Sequence, residues 1–252
     1  MAAAGAERQA LLIADPYTNY TQPEIGKAAV RVLEAAGVHV AIPADVGDSG
    51  RPAHSKSMLD HARETARVNV DALAPWVREG WDVISVEPSD AVMYQNDYLD
   101  LLAGDDVEAV AANTYGVMEY LDAFGLDGGL AVDPVGEHLA YHGHCQQTAI
   151  TKDHHAVDVL RRAGYAVDDL DSTCCGMAGS FGYEAEHYSM SMAIADLLFD
   201  QVDDSPGERV VAPGTSCRSQ LLEAAGRDGK PPHPIQLLDE ALDGGREPDD
   251  RR

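Results

Sequence analysis

Asp171-Ser-Thr-Cys174-Cys175-Gly176-Met-Ala-Gly179-Ser-Phe-Gly182-Tyr-Glu-Ala-Glu-His187 holds two of the chain's four cysteines, side by side in a glycine-rich turn. Residues 165–170 precede it and read as a strand. Residues 184–201 follow with Met190, Ala193, Ile194, Leu197 and Leu198 at helical spacing, which predicts one apolar face. The other two cysteines sit in similar surroundings. Cys145 comes just after a predicted strand over 138–142, ahead of a helix over 146–163 that Gly164 closes. Cys217 comes after a strand over 209–212 ended by Pro213-Gly214, and lies in a helix over 216–225. A further helix is expected over 234–242.

The same alternation runs through the first half. Residues 10–14 form an apolar run stopped by Asp15-Pro16, as suits a buried parallel strand. A helix over 24–36 ends at Gly37, and strands follow over 38–42 and 83–86. Between them lie a loop, 45–52, and a long helix over 55–79. Another helix begins near Pro88. Strand alternating with helix predicts an α/β fold with parallel sheets and right-handed crossovers.

The halves look like one unit duplicated. Pro16 corresponds to Cys145, Asp48-Ser49-Gly50 to Cys174-Cys175-Gly176, and Asp90 to Cys217, at offsets of 129, 126 and 127 residues. The expected architecture is two tandem Rossmann-like parallel-sheet repeats related by duplication. The first spans residues 8–123 and lacks cysteines; a glycine-rich linker spans 124–137. The second spans 138–243 and carries all four thiols. Residues 244–252 read as a charged, disordered tail.

Composition narrows the function classes. The chain of 252 residues is 45% hydrophobic, ample for a packed core, and has a net charge of −25. Only Lys27, Lys56, Lys152 and Lys230 are lysines. Such a surface repels phosphates and anionic lipid, which argues against nucleic-acid binding. It suits high salt, where self-repulsion is screened. No apolar run reaches the ~18 residues of a membrane span. The polar N-terminal stretch is unlike a signal peptide, so a cytoplasmic location is expected, extending to the periphery of a membrane complex. Clustered cysteines in a reducing compartment point to metal or redox use.

All three cysteine positions fall beyond the carboxyl end of a predicted strand, where ligands bind in open parallel sheets. Loops separated by 28 and 41 residues can therefore converge. Helix N-termini start there and favour thiolate. Adjacent ligands suit two irons of a cluster better than one tetrahedral zinc, which prefers pairs about two to four residues apart. Iron–sulfur leads on spacing; zinc and metal-free thiols remain open. Gly176, Gly179 and Gly182 would let the backbone approach inorganic sulfide. His144 is a candidate hydrogen-bond donor to the centre, and Arg218 could offset its charge; His142 reads more simply as the cap of a strand end. His187 reads as part of a solvated helix face, Asp48 and Asp90 as loop caps. Tyr17, Tyr20, Tyr94 and Tyr98 read as core or interface.

Residues 141–220 resemble the C-terminal repeat of the cysteine-rich CCG domain family. That family includes a component of heterodisulfide reductase, the iron–sulfur subunits of glycolate oxidase and anaerobic glycerol-3-phosphate dehydrogenase, and lactate-utilisation protein A. The stretch from Cys174 to Tyr188 is similar to the region behind FAD-linked D-lactate-dehydrogenase-like flavoproteins. In the first half, Asp15-Pro-Tyr-Thr-Asn-Tyr20, Gly50-Arg-Pro52 and Glu87-Pro-Ser89 resemble the same branch. The resemblance implies a [4Fe-4S] cluster on Cys145, Cys174, Cys175 and Cys217. It implies an iron–sulfur electron-transfer subunit or domain of a flavin-dependent 2-hydroxyacid dehydrogenase. FAD would be carried by a partner dehydrogenase, and a downstream acceptor would take the electrons. Two alternatives remain: a thiol–disulfide or heterodisulfide reductase-type subunit, and a zinc-bound or metal-free docking scaffold. Two departures bear on the cluster. The first half has Asp48-Ser49 and Asp90 where relatives often have cysteines, and Gln220 stands where a fifth thiolate is common.

Overall fold

The computed structural model describes residues 8–132, 136–172, 174–223 and 229–242. The charged tail expected at 244–252 lies outside them, as do three residues of the linker.

β1 (Arg8–Ile13) opens the chain, and a wide helical turn at Tyr17–Thr21 leads into α1 (Pro23–Ala35). β2 (Val38–Ala41), α2 (Arg51–Ser55), α3 (Leu59–Arg78) and β3 (Asp82–Ser85) follow. α4 (Pro88–Val92) runs through a second wide turn into α5 (Tyr98–Leu101). α6 (Asp105–Ala112), β4 (Thr114–Gly116) and α7 (Val117–Ala123) complete the first half. The second half contains β5 (His138–His142), α8 (Cys145–Ala149), α9 (His154–Arg162) and β6 (Ala166–Leu170). After the cysteine loop come α10 (Tyr188–Asp204), β7 (Arg209–Val211), α11 (Thr215–Leu222) and α12 (Pro234–Leu242).

Two sheets result, both wholly parallel. The first has the order β2-β1-β3-β4 and the second β6-β5-β7. The leading strand of each half is therefore central, with the next two strands on either side. β6 is an edge strand, and its Asp168 and Asp169 blunt the exposed edge.

Alternation in the central strands sorts the core. Ala10 and Leu12 of β1, with Leu139 and Tyr141 of β5, face one shared apolar core. α1 and α7 pack there against α12 and α9, so the seam between the halves is a helical layer. Leu11 and Ile13 face a second core under α3, closed by the fully buried Tyr94 and Tyr98. Ala140 faces a third, which contains Cys175, Met177, Leu198 and Cys217. Arg31 of α1 grips Asp239 of α12 through its Nε and Nη2, pinning the seam.

Several elements differ from the expectation. The helix expected over 55–79 starts late, at Leu59, because Ser57 takes a left-handed φ of 60° that separates it from the short α2. The helix over 146–163 breaks likewise at Thr151, φ 59°, so α8 and α9 point separately. β4 is too short for any periodicity to announce it. α10 starts four residues late, after a 3₁₀ turn at Phe181–Tyr183. Its buried face is Ser191, Ala195, Leu198 and Val202, leaving Met190 and Leu197 largely in solvent. Tyr17 and Tyr20 are exposed, whereas Tyr94 and Tyr98 are core.

Because the largest core crosses the seam, damage on one side should be felt on both. Leu238→Ala removes a fully buried side chain of α12 and should cost about 2–5 kcal/mol. Urea unfolding followed by circular dichroism and by tryptophan fluorescence from the first half should give coincident transitions, both shifted down. Separate midpoints would show that the halves unfold independently.

Candidate metal centre

The three cysteine loops meet beyond the carboxyl ends of β5, β6 and β7. Cys145 is the first residue of α8, Cys174 and Cys175 follow β6, and Cys217 lies in the first turn of α11. The thiols lie close enough to act on one another in sequence, Cys145 with Cys174, Cys174 with Cys175, and Cys175 with Cys217. None is in a disulfide; Cys175 and Cys217 are buried, while Cys145 and Cys174 are half-exposed.

Four thiols this close cannot share one proton affinity. The Cys174 thiol is held far below the usual thiol range, first by its hydrogen bond from Cys145 and then by that from Cys175. Cys217 is also lowered, chiefly by Cys175, with His142 and His144 adding to the effect. Cys145 and Cys175 are raised as the donors of those bonds, with burial adding to both. Thiolate is the form that binds metal.

The glycines act mainly through packing. Gly176 has φ +88° and donates its N–H to Cys174 Sγ at 3.4 Å. A Cβ there would lie 2.2 Å from the Ser191 carbonyl oxygen, so the cysteine loop can lie on α10 only as glycine. Gly182 likewise abuts Ser191 and Met177. Gly179 is exposed and its missing Cβ faces open space, so it serves the turn and not the thiols. At Gly214 a Cβ would strike the His144 ring at 2.4 Å and approach Cys217 Sγ at 3.3 Å. That places the buried His144 ring beside the Cys217 thiol.

The structure also brings in residues that the sequence alone leaves aside. His142 is fully buried at the end of β5; one of its ring nitrogens and the sulfurs of Cys175 and Cys217 all lie within 4.8 Å of one another. Its period-2 partner Ala140 faces the same core as those cysteines, a signal the alternation carried. Glu87 is a second case. Its Oε2 accepts the Thr215 N–H at 2.9 Å and its Oε1 accepts the Ser89 hydroxyl at 2.9 Å. This first-half carboxylate thereby caps the helix that carries Cys217. Lys56 pairs with Glu184 and joins the first half to the cysteine loop as well.

Arg218 is buried in the seam and not in a surface salt bridge. Its Nε donates to the Pro231 carbonyl at 2.8 Å and its Nη2 to Gln22 Oε1. Burial pushes its guanidinium down to about 10. With Gln22, Glu87, Thr215 and His233 it lines a cavity with room for about one water. His187 stacks on Phe181, ring centroids 4.2 Å apart, and pairs with Glu184. Asp48 caps Gly50 N–H, and Asp90 bonds Ser49 Oγ, as loop residues do.

The segment that carries all four thiols, residues 139–222, matches the family model of the cysteine-rich domain, CCG. The match falls on the part of the chain whose residues suggested it. Over most of its length the chain is similar to D-2-hydroxyglutarate dehydrogenase of Escherichia coli, 29% identical over 239 residues, covering 93% of this chain and 23% of that protein. It is 28% identical over 231 residues to a subunit of the anaerobic glycerol-3-phosphate dehydrogenase of the same species, covering 90% of this chain and 57% of the relative. Lactate utilization protein A of an Exiguobacterium strain is 24% identical over 235 residues, covering 86% of this chain and 88% of the relative. The chain thus spans about a quarter of the first of these relatives and somewhat over half of the second.

Two outcomes test this geometry. In metal-free protein, Cys174 should be alkylated by iodoacetamide at pH 6, where an ordinary thiol is almost wholly protonated. Cys145→Ala removes the leading hydrogen bond and should slow that labelling, read by peptide mass spectrometry. Glu87→Ala strips a buried N–H of its acceptor and should cost about 1–3 kcal/mol, measured by urea denaturation. Glu87→Gln, which keeps an acceptor oxygen, should cost less.

Proposed function

We propose that the chain is an iron–sulfur electron-transfer subunit or domain that works with a flavin-containing 2-hydroxyacid dehydrogenase. The observation that carries this is the unbroken contact chain of four thiols drawn from three separate loops. The donor set suits the group: four free thiols converge, and adjacent cysteines suit ligands of different irons. Cys145, Cys174, Cys175 and Cys217 would hold a [4Fe-4S] cluster, with His144 and Gly176 N–H beside them and Arg218 behind, in the seam. The bound cluster would supply one-electron redox chemistry. The protein's part is to hold its ligands, exclude water on the Cys175–Cys217 side and leave the Cys145–Cys174 side reachable.

The partner class follows from the relatives, two of which are, by name, a dehydrogenase and a part of one. FAD would reside on that partner, and a downstream acceptor would take the electrons. The location in this reading is cytoplasmic, extending to the periphery of a membrane complex; among the described residues no helix is long and apolar enough to cross a membrane. The acidic surface is read as adaptation to salt.

We further infer that the halves are a tandem duplication, 8–123 and 138–243. Both sheets place their leading strand centrally. Gly50 and Gly176, equivalent by the offset, have φ values of 82° and 88°. Ser49 bonds Asp90 where, by the same offsets, Cys175 bonds Cys217.

Anaerobic reconstitution with iron and sulfide decides the matter. The expected product is brown, with about four irons and four sulfides per chain and an electron paramagnetic resonance signal in one of its redox states. Cys175→Ser and Cys217→Ser should lose it. Absence of iron and sulfide would defeat the proposal, and one equivalent of zinc without sulfide would favour the docking scaffold. Turnover of a disulfide by the isolated reduced chain would favour the reductase reading.

A further inference from the structure

We propose that His142 is itself a ligand of the metal centre, binding through Nε2, with Ser172 as the outer partner that orients its ring. The inference rests on the metal centre proposed above but concerns a different atom. His142 is fully buried, and no oxygen or nitrogen partners its Nε2, whose companion is the Cys217 sulfur. Its Nδ1 is already engaged by Ser172 Oγ, the residue two before Cys174. The ring is therefore held by oxygen on one nitrogen and turned to sulfur on the other.

That arrangement is the usual one for a metal-bound imidazole. The outer N–H donates to an oxygen, fixing the tautomer that leaves the inner lone pair free. Both nearest sulfurs are candidate ligands, and the ring nitrogen and the two sulfurs lie within 4.8 Å of one another. Among the described residues, this is the one such grouping of histidine with cysteine. His144 shows the contrast. It too is buried with an unpartnered Nδ1, but its ring is wedged against Gly214 and falls outside that grouping.

The strand register supports the same assignment. β5 places Leu139 and Tyr141 in the shared core and Ala140 among the thiols, so His142 follows Ala140 to that side. In the first half the residue at the corresponding offset of 129 is Ile13, buried in an apolar core. The imidazole thus occurs in the half that has thiols, at a position where the other half has a hydrocarbon. The inner ligand set becomes His142, Cys175 and Cys217, all buried, with Cys145 and Cys174 on the solvent side, so the imidazole is a fifth ligand beyond the one thiolate per iron of a four-iron cluster.

The test is nitrogen hyperfine coupling. Full-length protein labelled with nitrogen-15 in histidine is reconstituted anaerobically with iron and sulfide, reduced, and measured by pulsed electron–nuclear double resonance. A strongly coupled nitrogen is expected in the wild type and in His144→Ala, and not in His142→Ala. His142→Cys should keep its iron while losing the nitrogen coupling, which separates a lost ligand from a lost fold. Ser172→Ala should weaken metal binding about tenfold or more. An iron–sulfur signal in the wild type without that coupling, or coupling that survives in His142→Ala, overturns the assignment. If the wild type takes up no iron and sulfide, the iron–sulfur reading falls, and His142 is decided by Co(II) spectra. Ligand-field bands that move in His142→Ala support it; bands that stay, or no Co(II) uptake at all, overturn it.

Discussion

Everything about the candidate centre depends on bringing sulfur atoms together that the chain keeps far apart. Parallel strands do this because every strand releases its chain at the same end of the sheet. In the second half the three releases leave Cys145, the Cys174–Cys175 pair and Cys217 in hydrogen-bonding contact. Like-charged thiolates would repel at that separation, so the four proton affinities are driven apart. A metal centre relieves the same repulsion by supplying positive charge. The site is therefore organised around a deficit of cations, in a chain already far on the acidic side.

The first half is not a bystander. Its Glu87 reaches across the seam to cap the helix of Cys217, its Gln22 takes the Arg218 guanidinium, and its Lys56 ties down the cysteine loop. α1 and α12 then lock the halves through Arg31 and Asp239. Where the second half has sulfur, the first has a short polar lattice. Tyr98 donates to the Ser49 carbonyl at 2.8 Å, Asn69 donates to the Tyr98 hydroxyl at 2.8 Å, and Ser49 donates to Asp90. Burial, with Glu87 adding to it, raises Asp90 well above the carboxylate range. Such a lattice needs no metal to satisfy it.

Much of this is readable without coordinates. The strand–helix alternation, the stops at Gly37 and Gly164, and the convergence of cysteines at strand ends are local signals with local causes. Breaks at Ser57 and Thr151 are not readable, because neither residue announces a left-handed backbone. The buried face of α10 departs from its spacing for a related reason. Spacing marks which apolar residues align, but the neighbour decides which side is covered, and here Gly176 and Gly182 press on Ser191. The four cysteines stand out by their types and positions. His142 reads as a strand cap, and Glu87 as a strand end, because their partners lie 30 or more residues away.

By itself the sequence determined that this is an α/β chain with parallel strands, an acidic surface and four thiols placed to meet at strand ends. Those properties follow from periodicity, composition and the one-directional exit of parallel strands. Only the tertiary structure decided which thiols are buried, that an imidazole joins them, and that a carboxylate from the other half caps their helix. Those depend on contacts between segments distant in the chain, which no local pattern encodes.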